Sequence, residues 1–428
     1  MARGERVFVV EGCRTPFLRS GTDFIDMTAC DLGRAAVAGL LHRTRVDPAA
    51  VDLLVLGTVI QEPRTSNLAR EVGLGCGLPD SCPAYTVTVA CVSSLQAALD
   101  GVRAIRCRDA DVVIAAGAET MSDAPIRFRR PVRKRLIIGQ KARGVWASAR
   151  LFGSLKLSDL LPDPPAIAEF TTGESMGENG ERLAKRLGIS REAQDAFAAT
   201  SHQRAARATA DGLLARQIVP VTVPGSWRRV SVDNGVRGDT SDEKLAKLKP
   251  AFDRRFGTIT AGNASFLSDG AAAVLLMSER KVFELGLDPL AEVVSAAVVA
   301  LDPLEELLLG PAVAIPRALA LAGVTLEEIE VVELHEAFAA QVLAVLQMLE
   351  DADFCRQRLG RAGALGRIDR ARLNAWGGSL SVGHPFGATG ARLLATCGHR
   401  LQHEKARFGL VAACAAGGIG IAMVLANA

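Results

Sequence analysis

Aromatic residues are scarce in this chain: one tyrosine, three tryptophans and fifteen phenylalanines make up 4% of 428 residues. Hydrophobic residues still reach 49%, much of it Ala, Val and Leu, which suits helices packed on buried strands and argues against an all-β sandwich. Neither sign of charge dominates. Fifty Lys and Arg against 47 Asp and Glu leave +3, so net charge gives no general affinity for nucleic acid or membranes. The nine cysteines are scattered and form no Cys-x-x-Cys pair, which argues against a zinc ribbon or a disulfide framework and for a reducing compartment. No run of 18 apolar residues occurs, and Met1–Gly12 reads straight into a strand without a charged-then-apolar leader. A cytoplasmic protein is therefore expected.

What is present is alternation. Short β-branched apolar runs at 6–12, 51–60, 110–119, 271–279, 329–338 and 408–418 alternate with helical patterns. They predict an α/β fold with strands covered on both faces and a mainly parallel sheet. A length of 428 residues predicts two or three domain-sized units. Two internal pairings suggest a duplication: "VDPAAVDLLVLG" (46–57) with "VTLEEIEVVELH" (324–335), and the helix–strand unit after Val92 with that after Gly387. The second pairing sets Cys91 and His384 just ahead of equivalent helices. Between Met121 and Ala271 lies a longer, more polar and mostly helical stretch, in which Ser190 marks a helix start; it reads as an insertion.

Five places carry candidate chemistry. Cys91 stands where the alternating "YTVTV" (85–89) gives way to a helix. It is either a small apolar filler or a thiol whose pKa the helix N-terminus lowers, with Ser93 and Ser94 helping to cap that helix. His384 lies in "NAWGGSLSVGHPFGATGAR" (374–392), among Gly377, Gly378, Gly383, Gly387 and Gly390. Such a loop brings backbone close to something, and Pro385 holds the histidine out of helical geometry. The segment is no P-loop, and a general base is the favoured reading. Cys414, in "VACAAGGIG" (412–420), precedes small residues whose backbone N–H groups are free to face an oxyanion; a core cysteine is the bland alternative. His335, in "ELHEAFAAQ" (333–341), has Ala339 where a zinc protease needs a second histidine, and His399 and His403 lack a third ligand, so no metal is expected. Finally, residues 126–156 hold ten Lys and Arg and no acid, interleaved with Leu136, Ile137, Ile138, Val145, Trp146, Leu151 and Phe152. That pattern fits either an anionic lipid surface or a polyanionic ligand, against a simply solvated basic hairpin.

In order, "VACVSSLQA" (89–97), "GTITAGNASFLSDGAAAVL" (257–275), "HEAFAAQ" (335–341), "GGSLSVGHPFGATGAR" (377–392) and "CAAGGIG" (414–420) resemble the thiolase family along nearly the whole chain. "HEAF", "CAAGG" and "MSDAPIRFRR" (121–130) are most similar to the trifunctional-complex β-subunit type. The resemblance implies the thiolase fold: two βαβαβαββ halves with five-stranded sheets and a mostly helical loop domain inserted in the first. In these terms 1–121 and 251–290 form the N-terminal half, 122–250 the insertion and 291–428 the C-terminal half. It also implies a homodimer or higher oligomer and thiolytic cleavage of 3-ketoacyl-CoA in fatty-acid β-oxidation. Coenzyme A would be a co-substrate, and no cofactor would be permanently bound.

By the same resemblance, Cys91 is the nucleophile, His384 its base and Cys414 the general acid. His384 and His335 would hold the thioester oxygen, while the backbone N–H groups of Cys91 and Ala416 form a second oxyanion hole. Ser265, Met176 and Phe338 would line the CoA and acyl sites. Two departures stand out: Ala416 occupies a position the family gives to glycine, and His335 one it usually gives to asparagine. The Cys-His-His set keeps a biosynthetic acetoacetyl-CoA thiolase or condensing enzyme as an alternative. The basic 126–156 segment keeps a membrane-associated scaffolding subunit as another. The resemblance to the trifunctional β-subunit type also implies a hydratase/dehydrogenase α-subunit as a partner.

Overall fold

The structure is a computed structural model and describes residues 5–141, 144, 146, 151, 153, 155–163, 165 and 168–428. Its centre is a mixed sheet that runs unbroken across both halves of the chain. From one edge the strands are Ile329–Leu334, Phe408–Ala415, Ile419–Asn427, Ala291–Ala300, Val7–Arg14, Ser268–Ser278, Val112–Glu119, Leu53–Gly57 and Ala84–Val87. The halves meet where 7–14 pairs with 291–300, and only Phe8–Glu292 and Val9–Ala291 are in register there.

The expected duplication is visible in this order. Strands 7–14, 268–278, 112–119 and 53–57 of the first half are answered by 291–300, 419–427, 408–415 and 329–334 of the second. Both sequence pairings fall on equivalent strands. The fifth strand of the first half, 84–87, is answered only by the isolated bridge Val332–Leu373, so the second half lacks its expected fifth strand.

The expectation of a mainly parallel sheet is corrected. Only 53–57 with 84–87, 53–57 with 112–119, and 329–334 with 408–415 are parallel; the longer ladders are antiparallel. Strands 408–415 and 419–427 are joined through Ala416, Gly417 and Gly418, a link too short for a parallel crossover. The run after Gly418 and that at 291–300 carry no composition distinct from a buried helix, so sequence periodicity passed over both.

Side-chain alternation divides the layers. Leu54, Leu56, Ile114, Ala116, Ala273 and Leu275 face the helices Ala29–Thr44 and Leu68–Gly75. Leu53, Val55, Val113, Ala115, Val274 and Leu276 face the opposite way, as a period of two requires. They meet the helices Ser93–Arg106 and Thr389–Glu404, which also take Val411, Ala413, Ile421 and Met423 from the second half. The second half's outer face, with Val332, Leu334, Leu410 and Val424, is covered by Gly310–Ala322 and Ala339–Glu350. Each such buried Val, Leu or Ile contributes about 1.5–3 kcal/mol. The two equivalent helices thus lie together in the middle layer, with sheet on either side.

The inserted stretch is tied down by buried polar contacts. The helix Arg191–Ala210 begins at Ser190, whose side chain accepts from the Ala193 N–H as the sequence indicated. Its Ser201 donates to Glu336 at 2.8 Å, and Glu181 of Met176–Leu187 accepts the N–H groups of Thr258 and Ile259. Arg143, Val145, Arg150 and Phe152 of the basic segment lie outside the described residues. Its described part carries the helix Arg130–Gly139 and exposed Ile126, Phe128, Leu136, Ile137, Ile138 and Trp146. Among the described residues no helix is long and apolar enough to cross a membrane.

Candidate active site

Cys91 follows the carboxyl end of strand 84–87, and His335 and Cys414 stand at the carboxyl ends of the neighbouring parallel strands 329–334 and 408–415. That is the end of an α/β sheet where ligands collect. His384 enters from the loop before helix 389–404, its N–H donating to Ser268 Oγ at 3.0 Å. Cys91 Sγ and one ring nitrogen each of His335 and His384 lie within 4.8 Å of one another. The two imidazole centroids are 4.1 Å apart.

The turn that presents Cys91 is strained. Ala90 has φ +45°, a left-handed conformation that a residue with a Cβ rarely adopts, and nothing in its sequence context announced it. Ser93 and Ser94 do not cap the helix that follows, which has no side-chain cap. Ser93 Oγ instead accepts from Val89 N–H and donates to the Ala90 carbonyl, pinning the strained turn. Ser94 Oγ accepts from the Ala391 N–H in the first turn of the partner helix.

The glycines around His384 bring backbone close to the other half of the chain, not to a phosphate. A Cβ on Gly117 would lie 2.0 Å from the Gly387 carbonyl oxygen, and one on Gly387 would lie 2.7 Å from that of Gly57. Glu119, buried, locks this crossing by accepting from the N–H groups of Val59, Ile60 and Gly387. Burial raises its carboxyl to about 7 against those hydrogen bonds. Sequence reading missed Glu119, since a single acid at a strand end carries no signature.

Burial governs the reactive groups. It pushes the Cys91 thiol up to about 12, although the backbone N–H groups of Ala416 and of Cys91 itself reach the sulphur and oppose the shift. The lowered pKa expected from the helix N-terminus is therefore reversed, because loss of water outweighs the helix end. Cys414 is also raised, by burial first and then by the nearby Cys91. Burial, then the Arg392 cation, takes His384 down to about 3. His335 is lowered well below its usual range by burial, His384 and Arg392. The resting set is neutral: two thiols and two imidazoles.

Cys91, His335 and His384 form the one group among the described residues with the atoms and spacing to hold a metal ion. Arg392, which disfavours positive charge on both rings, disfavours a cation there too. His399 and His403 are engaged elsewhere, on the Gly12 carbonyl and the Trp376 ring. Ala416 is not among the residues with positive φ, so alanine in the family's glycine position carries no backbone strain. Ser265 and Phe338 lie on adjoining segments, Ser265 N–H donating to the Ala337 carbonyl and Phe338 meeting Phe252 edge-on at 6.0 Å. Met176 packs, half-buried, against the core cluster that contains Phe338.

Comparison with known proteins agrees with this geometry. Residues 7–280 match the thiolase N-terminal domain and 287–427 the thiolase C-terminal domain. The chain belongs to the thiolase family. This thiolase is 48% identical to the mitochondrial trifunctional enzyme subunit beta of Bos taurus, over 98% of the chain and 88% of that protein. It is 46% identical to a 3-ketoacyl-CoA thiolase of Aeromonas salmonicida, over 99% of the chain and 97% of the relative. Among solved structures, human mitochondrial 3-ketoacyl-CoA thiolase in complex with CoA superimposes with a TM-score of 0.84 at 33% identity, covering 99% of this chain and 98% of that one. An acetyl-CoA acetyltransferase of Bacillus anthracis does so with 0.85 at 32% identity, over the full length of both.

Proposed function

We propose that this thiolase cleaves 3-ketoacyl-CoA with CoA, releasing acetyl-CoA and an acyl-CoA two carbons shorter. The observation that carries the reading is the convergence of Cys91 Sγ with ring nitrogens of His335 and His384 within 4.8 Å, beside Cys414. His384 takes the Cys91 proton as the sulphur attacks the 3-keto carbon. Because the resting thiol is protonated, transfer and attack belong to one step. The N–H groups of Cys91 and Ala416 then stabilise the alkoxide. Collapse breaks the bond between C2 and C3, leaving an acyl group on Cys91 and an acetyl-CoA enolate. Cys414 protonates C2 of that enolate, whose oxygen is held by His384 and His335. Cys414 next takes the proton of the incoming CoA thiol, and the CoA sulphur displaces Cys91, which recovers its proton from His384. Every proton returns to its origin.

Substrate access fits a cleft of about 520 Å³ lined by Val59, Ile60, Pro125, Arg127, Arg133 and Phe170. Apolar walls with two guanidinium groups against one carboxylate, Asp163, leave a net positive lining for an amphiphilic anion, and Ser265, Met176 and Phe338 would meet the pantetheine and acyl parts. Identity of 48% to a trifunctional enzyme β-subunit and 46% to a bacterial 3-ketoacyl-CoA thiolase supports degradation over synthesis. The partition at 121, 250 and 290, a homodimer, and an α-subunit partner belong to the same reading. A second element is peripheral contact with an anionic lipid surface through 126–156, supported by exposed Ile137, Ile138 and Trp146 among the basic residues. The test is thiolysis across 3-ketoacyl-CoAs of four to sixteen carbons. The wild type should be active, with longer chains preferred over acetoacetyl-CoA. Cys91→Ala should lose about 10⁴-fold or more while still binding CoA; an active Cys91→Ala enzyme ends the proposal.

A further inference from the structure

The two histidines of the site have matching surroundings and opposite hydrogen-bond polarity. Ser379 Oγ lies 2.8 Å from Arg392 Nη2 and 2.9 Å from His335 Nδ1. A guanidinium only donates, so Arg392 takes up a lone pair of Ser379, and His335 Nδ1 is the partner left that can accept the buried hydroxyl's proton. The neutral His335 ring then carries its own proton on Nε2. Thr389 Oγ1 lies 2.6 Å from His384 Nδ1 and 2.9 Å from the Pro385 carbonyl oxygen. A carbonyl only accepts, so Thr389 gives its proton to Pro385 and accepts from His384 Nδ1–H. His384 Nε2 is left with a bare lone pair. Both Nε2 atoms are buried and neither has a protein partner.

We infer that Arg392 and Ser379 are positioning residues that fix His335 as the Nε2–H tautomer, so that one imidazole offers a hydrogen-bond donor while the other offers a base. This rests on the thiolase reading for its use: a donor at His335 Nε2 suits the enolate oxygen, and a lone pair at His384 Nε2 suits the Cys91 proton. His335 transfers no proton in this scheme. Arg392 is itself buried and sits 3.7 Å from Glu333, which also pairs with Arg400. Its fixed charge disfavours a second proton on either ring at rest, so His335 stays neutral and His384 gains a proton only as Cys91 gives one up.

The experiment is a long-range proton–nitrogen spectrum of the full-length enzyme with ¹⁵N-histidine, assigned with His335→Asn and His384→Asn. His335 should show protonated Nε2 and unprotonated Nδ1, and His384 the reverse. Ser379→Ala should make the His335 tautomer mixed and lower kcat about 10- to 100-fold, with KM for both substrates within a few-fold. Ser379→Thr, which keeps the hydroxyl, should recover most of both. A wild-type His335 with protonated Nδ1, or a Ser379→Ala enzyme with unchanged tautomer, would overturn the inference. The wild-type spectrum decides the tautomer even if Ser379→Ala does not fold. It also needs no turnover, so an inactive wild type counts against the thiolase reading and not against the tautomer assignment.

Discussion

The crossing of the loop before helix 389–404 over the ends of strands 112–119 and 53–57 and the basic arm at 126–156 are opposite solutions to the same chain. At the crossing, Gly117, Gly387 and Gly57 let backbone meet backbone, and Glu119 takes up the N–H groups exposed by that approach. On the arm, Ile137 is 66% exposed and Trp146 89%, in a stretch, 126–156, that holds ten Lys and Arg and no acid. The crossing has no room for a methyl group, whereas the arm has covered almost nothing. Chemistry that depends on sub-ångström placement sits on the first. A surface that can meet lipid or a long substrate sits on the second.

The largest expected effect comes from breaking the crossing. In Gly117→Ala the new methyl would meet the Gly387 oxygen at 2.0 Å and its carbonyl carbon at 2.6 Å, and neither backbone can step aside without moving His384. Overpacking against backbone should cost about 3 kcal/mol or more, seen as a lower denaturation midpoint. Thiolysis by the remaining folded enzyme should fall about 100-fold. Gly363→Ala, where a Cβ meets nothing within 4 Å, is the control and should be silent. Equal stability of Gly117→Ala and wild type would mean the crossing is looser than the packing indicates.

A smaller effect separates burial from contact. His384 falls from its ordinary value of 6.5 to about 3 on folding. The unfolded chain therefore binds more protons between those values, and this contribution is complete above pH 6.5 and lost as pH falls toward 3. At pH 5 the loss is about 2 kcal/mol by the 1.4 kcal/mol per unit rule. Glu119, raised to about 7, contributes in the opposite sense and loses its share as pH rises through 7. The informative quantity is thus a difference: urea midpoints at pH 7 and pH 5 for wild type and His384→Asn. The variant should be spared about 2 kcal/mol of acid destabilisation. Identical pH slopes would mean that His384 meets water in the native state.

What the sequence disclosed follows the same division. Cys91, His384, Cys414 and His335 stand in local contexts, a strand end, a glycine cluster or a helix start, that mark backbone geometry within a few residues. The duplication showed itself because 53–57 and 329–334 keep both length and position in equivalent units. Glu119 and Ser379 left no such trace, because their partners Gly387 and His335 lie 268 and 44 residues away; Thr389 and Arg392 read as ordinary residues of a helix start, since a hydroxyl or guanidinium there carries no mark of its partner. Strand direction was misread for a related reason. A buried strand is apolar throughout whichever way its neighbour runs, and only a link as short as 416–418 reveals an antiparallel return. The Cys91 pKa was misjudged because burial, unlike a helix end, is a property of the whole packed layer.

The smallest effect on the protein itself is expected on the arm, and there the comparison is sharpest. Ile137→Glu with Ile138→Glu replaces two side chains that face solvent on the helix 130–139. Stability should stay within about 0.5 kcal/mol, and thiolysis of a short soluble substrate should not change. Retention on vesicles containing phosphatidylserine should be lost, since two new charges oppose both burial in the interface and attraction of the basic side chains, each of which contributes about 1 kcal/mol near an anionic surface. Wild-type retention should weaken as salt is raised and be absent on neutral vesicles, because the attraction is screened within a Debye length. Equal retention of wild type and variant, or none by either, would remove lipid as the arm's partner. The exposed apolar face would then have to meet protein or the substrate's own acyl chain, and a longer ketoacyl-CoA would be the next probe.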